Sequence, residues 1–275
     1  MTFEFVNSSF IMKYYFYLFF CLILFNSCSD NIEKCIARDA MVVSARKEAS
    51  EIGLMMMKKG GNAFDAMIAT ELALAVVYPS AGNLGGGGFM VYRLNNGSFG
   101  SLDYREKAPI KATEKMFLNE KNEIIPKSST HGALSIGVPG TIAGIFSVYE
   151  KFGSLPIEEI FKPVILLARE GYEINDLQSK RFKTHLNEIR KINTANSIYS
   201  MEYKSGDTIK NIQLSNFLGR IMLNGPDEFY KGESSKKLVN FLKRNGSIIT
   251  TDDLEKYNAV WRTPITFQYD DLKII

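Results

Sequence analysis

Residues Tyr78 to Pro109 constrain this chain most. The stretch begins Tyr78-Pro79-Ser80-Ala81-Gly82-Asn83-Leu84, continues through the unbroken glycine run Gly85 to Gly88, and enters the apolar run Phe89-Met90-Val91-Tyr92-Arg93-Leu94. Asn95-Asn96-Gly97 separates that run from Ser98 to Tyr104, and Arg105-Glu106-Lys107-Ala108-Pro109 follows. Two aromatic and apolar arms around an Asn-Gly pair predict a hairpin with a tight turn. The glycines precede the first arm and the Asp103/Arg105/Glu106 cluster ends the second, so the hairpin sets them side by side. Glycines lack a Cβ and let a backbone or a ligand come close. Arg105 offers a planar fork that matches a carboxylate.

The glycines do not make a nucleotide site. A dinucleotide fingerprint runs strand, glycines, helix, whereas here a helical stretch comes first and a strand after. No Gly-Lys-Ser/Thr occurs, which excludes a phosphate P-loop as well. The formal charge of +3, from 33 Lys and Arg against 30 Asp and Glu, is spread without a basic block and gives no reason to expect nucleic acid. The cysteines are Cys21, Cys28 and Cys35, all near the N-terminus, so the body of the chain has neither a disulfide framework nor a metal-ligand pattern. His131 and His185 stand far apart and read as surface or capping residues. No metal and no cofactor are expected.

Taken in order, Met1 to Ser27 reads as a leader. Tyr14 to Phe25 is an almost unbroken apolar run flanked by Lys13, short for a membrane span and suited to a signal segment. Met12-Lys13 would make a more ordinary start. Leu24-Phe25-Asn26-Ser27-Cys28 looks like a bacterial lipoprotein cleavage box, with Cys28 the residue to be acylated; the alternative is plain signal cleavage with Cys28 incidental. The expected organisation is a leader over 1–27, a tether over 28–40 and a folded part over 41–275, exported to the periplasmic side and held at a membrane by lipid.

Met41 to Ser44 is a short strand candidate. Apolar spacing predicts a helix over Lys47–Lys58 ended by Gly60-Gly61, and a buried helix over Ala63–Val77 capped by Asn62. Asp65 and Glu71 on the latter read as dipole pairing and a solvated edge. The methionines Met55 to Met57 read as core packing. Lys111 to Ile125 is a polar connection. Ser128 to His131 is a loop, without the acid that a Ser/His catalytic pair requires. Helices are expected over Thr141–Phe152, from Pro156 to Gly171, from Asn175 to about Lys191, over Leu214–Leu223 and Ser235–Arg244, and over Asp252–Tyr257 with Thr251 as cap. Val260 to Tyr269 alternates like a strand, Asp270-Asp271 turns, and Leu272 begins another. An apolar strand at the chain's end leaves ladder groups unpaired, and the expectation is a fragment.

The chain resembles the γ-glutamyltransferase (γ-glutamyltranspeptidase, glutathione hydrolase) family. The matching pieces are Lys59-Gly-Gly-Asn-Ala-Phe-Asp65, Gly82-Asn-Leu-Gly-Gly-Gly-Gly-Phe-Met90, Leu102-Asp-Tyr-Arg-Glu-Lys-Ala-Pro109 and Lys111-Ala-Thr-Glu-Lys-Met-Phe117. Gly137-Val-Pro-Gly-Thr-Ile-Ala-Gly144, Asn224-Gly-Pro-Asp-Glu-Phe-Tyr-Lys-Gly232 and Arg262-Thr-Pro264 follow in the family's order.

The resemblance implies an α+β fold, the αββα sandwich of the N-terminal-nucleophile hydrolases, with only the N-terminal part present. It implies a precursor that cuts itself in two, freeing a threonine whose hydroxyl is the nucleophile and whose amine can act as base. That threonine takes the γ-glutamyl group from glutathione and passes it to water or to an acceptor amino acid or peptide. Arg105 matches the arginine that clamps the substrate's α-carboxylate. No threonine here has a matching context, so catalytic residues are expected in a C-terminal, small-subunit half beyond Ile275, and this chain alone is expected to be inactive. A related acylase acting on glutaryl-type amides, or a noncatalytic γ-glutamyl-binding remnant, are the alternative readings.

Overall fold

The computed structural model describes residues 36–193 and 197–275. Cys28 and the expected leader lie outside them. Met41–Ile275 forms one compact unit.

Its centre is a hairpin of helices, α1 (Lys47–Lys58) and α2 (Ala63–Val77). Asn62 caps α2 by accepting from the Phe64 and Asp65 amides, and Asp65 answers by accepting from the Asn62 amide. Asp65 is fully buried and also accepts from the Ser154 and Leu155 amides and from the Ser154 hydroxyl, so it ties α2 to the turn after a later helix. Ile68, Ala69, Leu72, Ala73 and Val77 of α2 are all fully buried, as a helix apolar on nearly every side must be. Against it pack α3 (Thr141–Phe152) and α4 (Ile157–Glu170); α6 (Ile212–Asn224) packs on α4, with α5 (Asp176–Ile192) between them in sequence. A short two-stranded ladder, β3 (Tyr172–Glu173) with β4 (Thr208–Ile209), brackets α5. The short α7 (Asp227–Tyr230), then α8 (Glu233–Arg244) and α9 (Thr251–Glu255), complete the helices.

The predicted hairpin is present as β1 (Phe89–Arg93) antiparallel to β2 (Phe99–Asp103), with Gly97 at φ 86° in the turn. β5 (Val260–Arg262) pairs with the far edge of β2. Met90 and Leu102 face inward as a cross-strand pair, and the Tyr92 ring lies over Gly100 opposite. Tyr92 then meets Phe64 of α2, Phe152 of α3 and Trp261 of β5 at ring separations of 5.7, 4.9 and 6.1 Å, which fastens sheet to helices. Phe89 and Val91 point the other way and are exposed.

Several expectations change. Met41 to Ser44 joins no ladder among the described residues: Val42 packs against the core while Val43 is exposed. The alternating run Val260 to Tyr269 is two strands, β5 and β6 (Phe267–Tyr269), because Pro264 has no N–H to give a ladder and restricts Thr263 before it. β6 pairs with β7 (Leu272–Ile274) across a turn at Asp270, φ 53°. The cap of α9 is Thr250, one residue earlier than expected, because Thr250 and Asp253 form a reciprocal capping box.

Candidate functional site

The end of β2 and the glycine loop are joined directly. Tyr104 N–H donates to Gly88 O at 3.0 Å and Gly88 N–H returns the bond to Tyr104 O at 3.3 Å. The loop is then fixed from the other side, where Gly86 O accepts from the Gly140 and Thr141 amides at 2.7 and 3.1 Å, at the start of α3. Thr141 Oγ1 donates to Asn83 O at 3.1 Å. Two motifs well separated in sequence, Gly82–Met90 and Gly137–Gly144, thus close on one point.

That point is Tyr104, which is 4% exposed. A Cβ on Gly87 would lie 2.3 Å from Tyr104 O, one on Gly140 2.0 Å from the same oxygen, and one on Gly144 2.4 Å from the ring. A Cβ on Gly88 would stand 3.1 Å from the ring edge. Gly87, Gly88, Gly140 and Gly144 are therefore packing requirements around one tyrosine, a use of Gly that the composition of the loop alone does not reveal. Tyr104 Oη donates to Glu71 Oε2 of α2 at 3.0 Å. Glu71 is partly buried, not a solvated edge as expected: desolvation raises its carboxyl to about 7, with the Tyr104 hydrogen bond opposing. Burial and the Glu71 charge push the Tyr104 phenol up strongly.

Arg105 follows with the opposite orientation, its side chain 65% exposed. Its backbone is pinned at both ends, the N–H donating to Asp103 Oδ1 at 3.1 Å and the carbonyl accepting from Tyr257 Oη at 2.8 Å. Tyr257 stacks on Tyr230 at 5.8 Å, and burial lifts its phenol to about 12. Asp103 does not hold the Arg105 guanidinium. Its Oδ2 takes Nε and Nη2 of Arg262, each at 2.8 Å. The hydrogen bond from the Arg105 backbone N–H, and then the Arg262 contacts, keep its carboxyl below the usual range. Glu106 approaches Arg105 Nε at 3.3 Å, in a geometry too poor for a hydrogen bond and leaving Glu106 Oε2 buried without one. Among the described residues the two terminal nitrogens of Arg105 make no hydrogen bond. Arg105 lines a cavity of about 730 Å³ together with Glu71, Asn83, Gly86, Gly87, Tyr104 and Glu106.

His131 and His185, remote in sequence, both approach Glu188, at 3.6 and 3.8 Å. Lys127 joins them at 3.5 Å, and its hydrogen bond is the main cause that lowers the Glu188 carboxyl. All are substantially exposed. The described residues contain no group of three or more His, Cys, Asp or Glu able to hold a metal ion.

The fold is that of the N-terminal-nucleophile hydrolases. A Helicobacter pylori gamma-glutamyltranspeptidase crystal structure superposes with a TM-score of 0.84 at 39% identity, covering 87% of this chain and 70% of that one. A cephalosporin acylase from Bacillus halodurans, 24% identical with a TM-score of 0.74 over 86% of this chain and 47% of that one, shares the fold alone. The Gamma-glutamyltranspeptidase family profile matches residues 49–275, and the chain belongs to that family. The glutathione hydrolase proenzyme of Escherichia coli K12 is 42% identical over 238 residues, 85% of this chain and 41% of the relative. The chain thus spans about two fifths of the length of the curated relatives it matches.

Proposed function

We propose that this chain is the part of a γ-glutamyl hydrolase or transferase that receives the γ-glutamyl end of glutathione and related compounds, with Arg105 binding the α-carboxylate. The observation that carries the reading is the state of Arg105: backbone pinned at both ends, Nε alone facing Glu106 at 3.3 Å, the two terminal nitrogens without a hydrogen bond, and the residue lining a cavity beside the glycine loop. A structural ion pair of Arg105 would be expected on Asp103 or Glu106; Arg262 occupies the Asp103 carboxylate instead, and Glu106 reaches only Nε, at 3.3 Å.

In this reading the nucleophilic threonine comes from a separate stretch of polypeptide, since no threonine of these 275 residues has a matching context. The hydroxyl attacks the γ-amide, the amine of the leaving dipeptide departs with a proton, and water or an acceptor amine takes the acyl group from the threonine. Arg105 contributes by holding the substrate's far end so that the γ-carbon is presented in one orientation. Export and acylation at Cys28 belong to the same proposal and rest on the sequence of the leader.

The test is the KM for a γ-glutamyl anilide in the complete protein. A charged hydrogen-bonded contact is worth roughly 1.5–3 kcal/mol, so Arg105→Ala should raise KM about tenfold or more. Arg105→Lys should recover only part, because an ammonium cannot fork. An unchanged KM in folded Arg105→Ala would refute the assignment.

A further inference from the structure

We propose that Glu71 is a positioning residue whose charge, acting through Tyr104 and the shared cavity, sets how strongly Arg105 holds a carboxylate. The proposal rests on the reading of Arg105 given above and adds a residue to it. Glu71 lies on α2, over 30 residues before Arg105, and no family motif identified in the sequence includes it. The fold brings it to the tip of Tyr104, whose hydroxyl it accepts at 3.0 Å.

The connection to Arg105 is stiff. Tyr104 is the residue immediately before it, its ring and carbonyl are gripped by Gly87, Gly88, Gly140 and Gly144, and both its ladder groups are bonded to Gly88. With Gly88 and Gly144 against the ring, Gly87 and Gly140 against the carbonyl, and the residue 4% exposed, a change at the hydroxyl is passed to the backbone through close packing. Glu71 and Arg105 also line the same cavity. An ionised Glu71 therefore places a negative charge where an anionic substrate group has to arrive, and a protonated one does not. In a confined site such a charge is poorly screened.

The charged or titratable side chains lining that cavity are Glu71, Tyr104, Arg105 and Glu106. The walls supplied by α1, by residues 41–44 and by β1 carry none. Burial brings Glu71 to about 7, so its charge changes in the neutral range while Tyr104 stays protonated. The Tyr104 hydrogen bond lowers Glu71, so removing the hydroxyl moves the change to higher pH.

The experiment is the KM of the complete protein for a γ-glutamyl anilide from pH 5.5 to about 8.5, with kcat followed in parallel. Wild-type KM should rise at least about threefold through neutral pH beyond any rise in Glu71→Gln, whose KM should stay near the low-pH value. Tyr104→Phe should keep the rise but move its midpoint upward, a shift that loss of packing alone does not produce. The kcat profiles should be parallel. A Glu71→Gln profile superimposing on wild type would overturn the proposal, and so would an unmoved midpoint in Tyr104→Phe, which decides the matter alone if Glu71→Gln does not fold. If Arg105→Ala raises KM while Glu71→Gln matches wild type, only this proposal fails. An unchanged KM in Arg105→Ala would remove the Arg105 reading and the role of Glu71 with it.

Discussion

Asp103 and Arg262 are 159 residues apart in sequence and are joined by two contacts of 2.8 Å onto one carboxylate oxygen. The other oxygen accepts the Arg105 amide. Asp103 therefore orients the Arg105 backbone without capturing its guanidinium, and Arg262 is what keeps it occupied.

Arg262→Ala should free that oxygen to compete for Arg105. Exposed ion pairs contribute about 0–1 kcal/mol, so the melting temperature should hardly move. KM for a γ-glutamyl anilide in the complete protein should rise by about twofold to fivefold with little change in kcat. An unaltered KM would show that Asp103 does not reach the guanidinium even when released.

Gly140→Ala should be among the most damaging single methyl additions in the chain. The new Cβ would lie 2.0 Å from Tyr104 O and 2.1 Å from Tyr257 Oη, and the first of these is backbone that cannot step aside. We expect a loss of about 3 kcal/mol or more. Gly219→Ala in α6 is the control. Nothing lies within 4 Å of its Cβ, and alanine should stabilise the helix by about 0.5–1 kcal/mol. Denaturant midpoints of the two variants should move in opposite directions.

Glu71 should make stability fall as pH rises. Its carboxyl goes from 4.5 in the unfolded chain to about 7 when folded. Between those values the folded state holds a proton that the unfolded state has lost. The stabilisation is complete below pH 4.5, is lost progressively toward 7, and levels off above. The span amounts to about 2–3 kcal/mol, taken below the full value because Glu71 is not wholly enclosed. Urea unfolding at pH 5 and pH 8 should show this slope in wild type and a shallower one in Glu71→Gln. Equal slopes would mean that Glu71 ionises normally in the fold.

Cys28 should carry lipid. Cells labelled with a fatty-acid probe should show incorporation into the wild-type protein and none into Cys28→Ala, which should move to the soluble fraction. More than one acyl chain is needed for firm anchoring. Equal labelling of the two proteins would exclude acylation at this cysteine.

The helices and the hairpin were legible because their signals are local. Asn62 with Asp65 three residues on, glycines after α1 and α4, and Asn96-Gly97 between two apolar arms each act within a few residues. The Thr250-x-x-Asp253 spacing was equally local, and reading it as a capping box would have placed the cap correctly. The break at Thr263-Pro264 was also signalled, by a proline inside an alternating run.

Pattern and motif were enough to determine the family, the longer helices and the hairpin, because hydrophobic period, capping and turn chemistry are properties of neighbouring residues. The convergence on Tyr104 was decided only by tertiary structure. Nothing local to Gly87, Gly88, Gly140 or Gly144 shows that the first and third close on the carbonyl of one tyrosine and the other two on its ring. Glu71 reads as a solvated edge until α2 is laid against β2 and its carboxyl is partly buried at the Tyr104 hydroxyl. His131 and His185 meet at Glu188 only because the loop before α3 folds over α5. Desolvation and close approach depend on which distant segment arrives at a residue, and no periodicity along the chain encodes that.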